Sequence, residues 1–426
     1  MMPSALTSKR HQNDILVARM KRKQFRFKWV AQSPLIVIAA AFVVAIVLLY
    51  CYRLTHFVPA SAGEQYTIQT LSQPSSLLDN PLLLPYKLLA TILLQLPGDP
   101  VRLVRLASVI ISLGCIGLFF TLTRRWYGLL NGLAVTTLFA SSGWLLQTGR
   151  YGAGFTALTL LVLGLLNVTV WVNSTEKSNL AVAIFALVAS LSLLAPGGLW
   201  FVLVAAYICR RTLAEHLRKS TRTYLGIAAL CFTVVVIILS LALARDPSLI
   251  QQWLGLPAGM PNLTVLAKQL ALSVTGFIVR GPVAPEYWLG RTPLLDVAAT
   301  ALVALGILFY QRHLRNARTL LIGLFLAIGA ILTALNGAAG LSYMLPLVYL
   351  VLGGGFAYLL HQWKKVFPRN PIAEAAAYSL MAFLVLCMVG FHVQRYFVAW
   401  RHNPTTIQSY QQRPPITSNQ LPYLIQ

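Results

Sequence analysis

Acidic side chains are scarce in this chain: its 426 residues include ten Asp and Glu against 34 Lys and Arg, a formal net charge of +24. Charged residues of both signs make up only 10%, far below the roughly 25% of soluble globular domains, and that class is excluded. Cysteine offers no alternative chemistry. The five present, Cys51, Cys115, Cys209, Cys231 and Cys387, lie within or at the ends of apolar runs. They have neither CxxC spacing nor paired His ligands, so a disulfide framework and a zinc site are both excluded. No P-loop, GxSxG, HExxH or strand-to-helix GxGxxG occurs, which removes ATPase, serine hydrolase and zincin readings. With no metal motif the cofactor is undefined, and a divalent cation stays open. No small-residue cleavage site follows the first apolar run, which reads as a retained span and not a signal peptide.

What the chain has in quantity is apolar sequence, 57% hydrophobic residues at a mean hydropathy of +0.70. This marks an all-α polytopic membrane protein. A span needs about 20 apolar residues, which divides the chain into about eleven transmembrane helices. They fall near 30–52, 101–122, 128–147, 153–173, 179–196, 198–209, 224–244, 294–310, 319–336, 343–360 and 373–393. Basic residues set their orientation. With the N-terminus in the cytoplasm, the inner segments hold 22 of the 34 Lys and Arg. Glu64, Asp79, Asp99, Asp246, Glu286 and Asp296 then lie outside. Basic residues spread between spans in this way record membrane orientation and not a nucleic-acid face. The odd span count places the C-terminus outside. The expected organisation is a basic cytoplasmic segment 1–29, a transmembrane domain 30–394 and a loosely ordered polar tail 395–426, in a bacterial cytoplasmic membrane.

Two outer segments, 53–100 and 245–293, are long enough to build a site. In the first, NPLLLPYKLLATILLQLPGDP is too broken by proline to span and fits a helix lying in the interface. In the second, 262–279 is apolar enough for a twelfth span, which would turn the tail inside. Lys268 near its middle would cost about 2.5–3.5 kcal/mol there, which favours an interfacial helix.

Glu64, in Gly63-Glu64-Gln65-Tyr66 a dozen residues past the first span, is either a general base at the outer membrane face or a solvated loop carboxylate. Arg150, in a tight outer loop, can clamp a lipid-linked phosphate or anchor in headgroups. The run Glu286-Tyr287-Trp288 combines charge with aromatic faces that suit sugar stacking and interfacial anchoring equally. Gly128 to Gly132 and Gly353-Gly354-Gly355 mark close helix packing.

Taken in order, these segments resemble the GT-C superfamily of membrane glycosyltransferases, which includes protein O-mannosyltransferases and the lipid A aminoarabinose transferases. Gly63-Glu64-Gln65-Tyr66 stands where the family carries an acidic pair and a Tyr after its first span. Asn80-Pro81-Leu82-Leu83 matches the Pro-Leu segment that follows. Leu103 to Ser108 resembles an Arg-Leu-Pro-Ser helix start, and Thr123 to Gly128 a basic turn ending in Gly. Arg150 falls near the family's outer Arg. Leu194 to Leu199 is similar to a Lys-Pro-Pro-Gly turn without the Lys, Phe277 to Gly281 with Gly290 to Asp296 to a late outer loop, and Ser342 to Pro346 to an Arg-Tyr-Leu-Leu-Pro helix.

The resemblance implies a transferase that moves a sugar from a polyprenyl-phosphate donor to a glycan, lipid or protein acceptor at the outer face, with inversion at the sugar carbon. Glu64 would be the base, and Arg150, Lys87 and Arg280 the donor-phosphate partners. Tyr66, Asp79, Glu286, Tyr287, Trp288 and Tyr343 would line the substrate, and membrane lipids would surround the whole. The chain departs from the family at Gly63 and Tyr151, where acids are usual, at Pro282 in place of an Asp, and at Ser342 in place of an Arg. Those departures keep two other readings open. One is a non-catalytic relative that binds polyprenyl-phosphate lipid or a partner protein; the other is a transporter or flippase.

Overall fold

The computed structural model describes residues 41–54, 58–73, 76–312, 314, 316–368 and 370–411. The basic segment 1–29, the start of the first expected span and residues 412–426 of the tail lie outside the described residues. The described residues up to Tyr52 belong to a unit of their own, in which α1 is the apolar helix Ala41–Cys51. All that follows concerns the unit from Arg53 onward.

That unit is helical throughout, with no strand among the described residues. Three helices precede the second span: α2 (Ala62–Leu71), α3 (Ser76–Asp79) and α4 (Leu84–Leu94). The bundle is built from α5 (Pro100–Tyr127), α6 (Leu129–Ser141), α7 (Gly143–Gly149), α8 (Phe155–Val172), α9 (Ser178–Leu193), α10 (Gly198–Lys219) and α11 (Arg222–Arg245). After α12 (Leu249–Leu254) and α13 (Leu263–Thr275), it resumes with α14 (Val297–Gln311), α15 (Ala317–Asn336), α16 (Leu341–Val366) and α17 (Pro371–Gln394). From the second expected span onward, each coincides with one of these helices or, between 128 and 147, with a pair bent by 59°. Among the described residues five stretches are long and apolar enough to cross a membrane, Pro100–Tyr127, Phe155–Val172, Arg222–Arg245, Ala317–Val366 and Pro371–Trp400, and six if α6 and α7 count as one broken span. The fourth of these folds back on itself, since Thr333 Oγ1 in α15 meets Met344 Sδ in α16 at 3.6 Å. Helix α13, whose 13 residues rise about 20 Å, is too short to cross a hydrocarbon core of about 30 Å.

Local chemistry explains the boundaries. Asp99 accepts from Val101 N and Pro100 occupies the first turn of α5, while Arg124 and Arg125 close its last turn. Close packing relies on glycine where two backbones meet. A Cβ on Gly355 of α16 would lie 1.9 Å from Leu302 O, and one on Gly306 of α14 would lie 2.0 Å from Val351 O. Only a residue without a side chain permits this approach, as the triple glycine led one to expect.

The expectation for residue 395 onward changes. Arg395–Trp400 continue α17 as a π-helical turn and Pro404–Gln411 form α18, with Tyr396, Trp400, Thr406 and Tyr410 buried. Composition alone reads this stretch as too polar to pack. Its aromatic residues decide otherwise, because Tyr396 stacks on Trp400, and Trp400 meets Tyr410 edge-on.

One end of the bundle gathers α2 to α4, the loop between α13 and α14, and α18. Arg245 at the end of α11 pairs with Asp79 at 2.8 Å, and Tyr410 donates to Glu286 O at 2.6 Å. The other end carries Arg125 with Ser174, His216 between Ser178 and the Val172 carbonyl, and the exposed pair Lys364–Glu374.

Candidate functional site

The segment before α2 is tied down by one charged pair. Ser61-x-x-Glu64 forms a capping box, with Ser61 Oγ accepting from Glu64 N and Glu64 Oε2 accepting from Ser61 N. That geometry turns the Glu64 carboxylate inward to Arg105 of α5, which donates from Nε to Oε1 and from Nη2 to Oε2, both at 2.8 Å. Gly152 N adds a fourth hydrogen bond, to Oε1 at 2.9 Å. A Cβ on Gly152 would stand 2.7 Å from Val104 Cγ1, so the backbone reaches the carboxylate because the side chain is absent. An ionised carboxylate offers about four acceptor positions, and all are taken. Arg105 is equally committed: its remaining donors go to the carbonyls of Leu54, Val58 and Pro59 at 2.8 to 3.1 Å. Both side chains are buried, Glu64 at 1% exposure. As placed, Glu64 anchors this segment, and each of its oxygens accepts two hydrogen bonds from the chain.

A second carboxylate stands nearby in a different state. Glu286, in the loop between α13 and α14, is half-buried. Its Oε2 accepts from the Tyr151 phenol at 3.1 Å, and the same phenol oxygen accepts from Ser61 Oγ at 2.8 Å. Ser61 and Tyr151 thus connect the anchored carboxylate to the half-exposed one. Burial pushes the Glu286 carboxyl above its usual range; the phenol's hydrogen bond pulls it back, and the charge of Glu64 raises it further. Burial also holds Tyr151 well above the ordinary phenol range, so that it stays a donor. Tyr287 packs against Trp144, Tyr151 and Phe155 with ring centroids 5.5 to 5.9 Å apart, which sets Glu286 beside an aromatic wall.

The same loop lines a cleft of about 440 Å³ between α13 and the turn from α15 to α16. Lys268, Arg280 and Arg291 contribute three cations to its lining, with Gln269, Ser273 and Thr333 as polar neighbours and no carboxylate. The loop is closed at its base by Gly281 N to Arg291 O at 3.1 Å and Leu295 N to Phe277 O at 2.9 Å.

Of the residues singled out from sequence, Glu64, Glu286 and Tyr287 meet around Tyr151, and Arg280 lines the cationic cleft. The others are placed apart. Arg150 is buried with its guanidinium over the rings of Tyr396 and Phe397, 5.3 and 4.9 Å from their centroids. Lys87 donates to Asn80 O at 2.6 Å, and burial lowers its ammonium to about 8. Asp79 is in the exposed pair with Arg245, and Tyr66 lies 36% exposed on α2. Trp288 is buried under Arg395 and donates to Thr292 O. Tyr343 is buried against Phe201 and donates to the Pro196 carbonyl, so both belong to the scaffold. Sequence reading passed over Arg105, Tyr151, Lys268 and Arg291 as site residues. A signal for Arg105 was present, since a charge inside an apolar helix needs a partner, and the capping box pointed to Glu64 as that partner's side of the pair.

These features define a polytopic membrane protein with a polar site at one end of its helix bundle. Its fold is that of the GT-C membrane glycosyltransferases. ArnT from Cupriavidus metallidurans matches in its apo state at 14% identity and a TM-score of 0.50, over 89% of this chain and 77% of that one. The same protein bound to undecaprenyl phosphate matches at 14% identity and 0.51 over the same shares. The Archaeoglobus fulgidus oligosaccharyltransferase, tethered to an acceptor peptide containing the NVT sequon, matches at 13% and 0.52, over 89% of this chain. This chain spans 59% of the length of that enzyme. No family model matches the sequence, and no curated protein does. The chain is an integral membrane protein.

Proposed function

We propose that this protein transfers a sugar from a polyprenyl-phosphate donor to a hydroxyl-bearing acceptor at the non-cytoplasmic face of a bacterial cytoplasmic membrane. The observation that carries this reading is the loop between α13 and α14. It places Arg280 and Arg291, with Lys268 beside them, in a cleft free of carboxylates, and it presents Glu286 with Tyr287 at the aromatic wall. Cations converging on one cleft suit a phosphate, which guanidinium groups bind through paired, charge-assisted hydrogen bonds. An aromatic face beside a carboxylate suits a sugar ring carrying a hydroxyl. Holding a lipid-tethered donor and an acceptor at one membrane edge converts a bimolecular encounter into an oriented one, which alone can supply about 7–11 kcal/mol of barrier reduction. Undecaprenyl phosphate bound in the ArnT neighbour supports the lipid class of the donor. Lys87 and Arg150, committed to Asn80 O and to aromatic rings, shape the surroundings of the site in this reading.

Binding of undecaprenyl phosphate to detergent-solubilised protein tests the cleft. Arg280→Ala with Arg291→Ala is expected to weaken that binding by at least 100-fold, at about 1.5–3 kcal/mol for each hydrogen bond to a charged group. Unchanged affinity in the double variant would remove the phosphate from this cleft. Lipid binding by the wild type without transfer of any labelled sugar would leave a lipid-binding protein on a transferase fold.

A further inference from the structure

The two glutamates at this end of the bundle differ in what their oxygens do. Glu64 accepts four hydrogen bonds from the chain, two on each oxygen. Glu286 accepts one, on Oε2, and its Oε1 has no hydrogen-bond partner among the described residues. Its backbone is fixed on several sides. Tyr410 of α18 donates to its carbonyl at 2.6 Å, Trp400 Nε1 donates to Pro285 O at 3.2 Å, and Tyr287 N and Trp288 N both donate to Ala284 O.

We propose that Glu286 is the general base of this site, its Oε1 taking the proton of the acceptor hydroxyl while Tyr151 holds Oε2. The assignment rests on the transferase reading above. In the step it performs, the acceptor O–H bond breaks and its proton goes to Oε1 as the acceptor oxygen bonds to the anomeric carbon. The bond from that carbon to the phosphate oxygen breaks, and its electron pair leaves on the polyprenyl phosphate. The proton then passes from Glu286 to water. A base works best with its proton affinity near the operating pH, and the partial burial of Glu286 moves it in that direction. Tyr151 is a positioning residue in this assignment: it orients the carboxylate and fills the space beside Gly63, where a Cβ would lie 2.9 Å from its hydroxyl.

The test uses proteoliposomes of the full chain supplied with tritiated undecaprenyl-phosphate hexoses and pentoses and a bacterial envelope extract as acceptor. Wild type is expected to transfer label. Glu286→Gln is expected to lower kcat by about 10²- to 10⁴-fold while binding undecaprenyl phosphate with unchanged Kd, which certifies a folded site. Tyr151→Phe is expected to move the acid limb of the kcat–pH profile to higher pH, because the lost hydrogen bond favoured the ionised carboxylate. Transfer by Glu286→Gln at the wild-type rate overturns the proposal and leaves the transferase reading intact. Loss of transfer in a folded Glu64→Gln variant, with Glu286→Gln active, returns the base to Glu64. Absence of transfer by the wild type overturns both readings.

Discussion

The first turn of α2 and the loop before α14 each bring one glutamate to the same end of the bundle, and they treat it in opposite ways. In the first, a capping box, a bidentate arginine and a glycine amide saturate the carboxylate, so its charge is spent on holding residues 58–64 to α5. In the second, a single phenol fixes one oxygen and the other has no hydrogen-bond partner among the described residues. A buried ion that is fully hydrogen-bonded confers rigidity; a half-buried one with an open lone pair retains a reactive proton site. Two carboxylates in neighbouring segments can therefore divide scaffold from chemistry.

Breaking the first side of that comparison should have the largest effect. Arg105→Ala leaves Glu64 buried without its counter-ion and removes three carbonyl contacts, and is expected to destabilise by about 3–5 kcal/mol, read from thermal unfolding in detergent. Gly63→Ala comes next. Its methyl would meet the Tyr151 hydroxyl, an overpacking cost of about 1–3 kcal/mol that Tyr151→Phe should partly relieve, so the two effects are not additive.

The second side is sharpened by pH. Glu286 has its carboxyl raised in the folded state, mainly by burial. The stability this gives is therefore complete below the unfolded pKa and lost as pH rises through the folded one. Glu286→Gln should accordingly unfold at a higher temperature than wild type near pH 8 and at the same temperature near pH 4. The smallest effect belongs to the outlying pair: Asp79→Asn removes an ion pair whose side chains are 58% and 60% exposed, and is expected to change stability by less than about 1 kcal/mol, less still in high salt.

Much of this was legible in the chain itself. Hydropathy located a helix at each expected span from the second onward, the glycines of α14 and α16 mark where backbones touch, and Lys268 kept α13 from being read as a span. Glu64 was legible as an important residue. Its role was not, because the general-base reading depends on which donors surround the carboxylate, and Arg105 and Gly152 come to it from 41 and 88 positions away. The tail differs for a related reason: Tyr396, Trp400 and Tyr410 are buried by one another and by distant partners, Arg150 and the 285–286 loop.

The order of apolar runs, the scarcity of acids and the placement of basic residues are local properties, summed along the chain, and they determined a membrane-embedded helical bundle with few candidates for acid–base chemistry. Which glutamate is consumed by structure and which remains open was decided by tertiary contacts alone. The reactivity of a carboxylate is set by the donors within about 3 Å of it, and in this protein those donors belong to distant segments that only folding brings together.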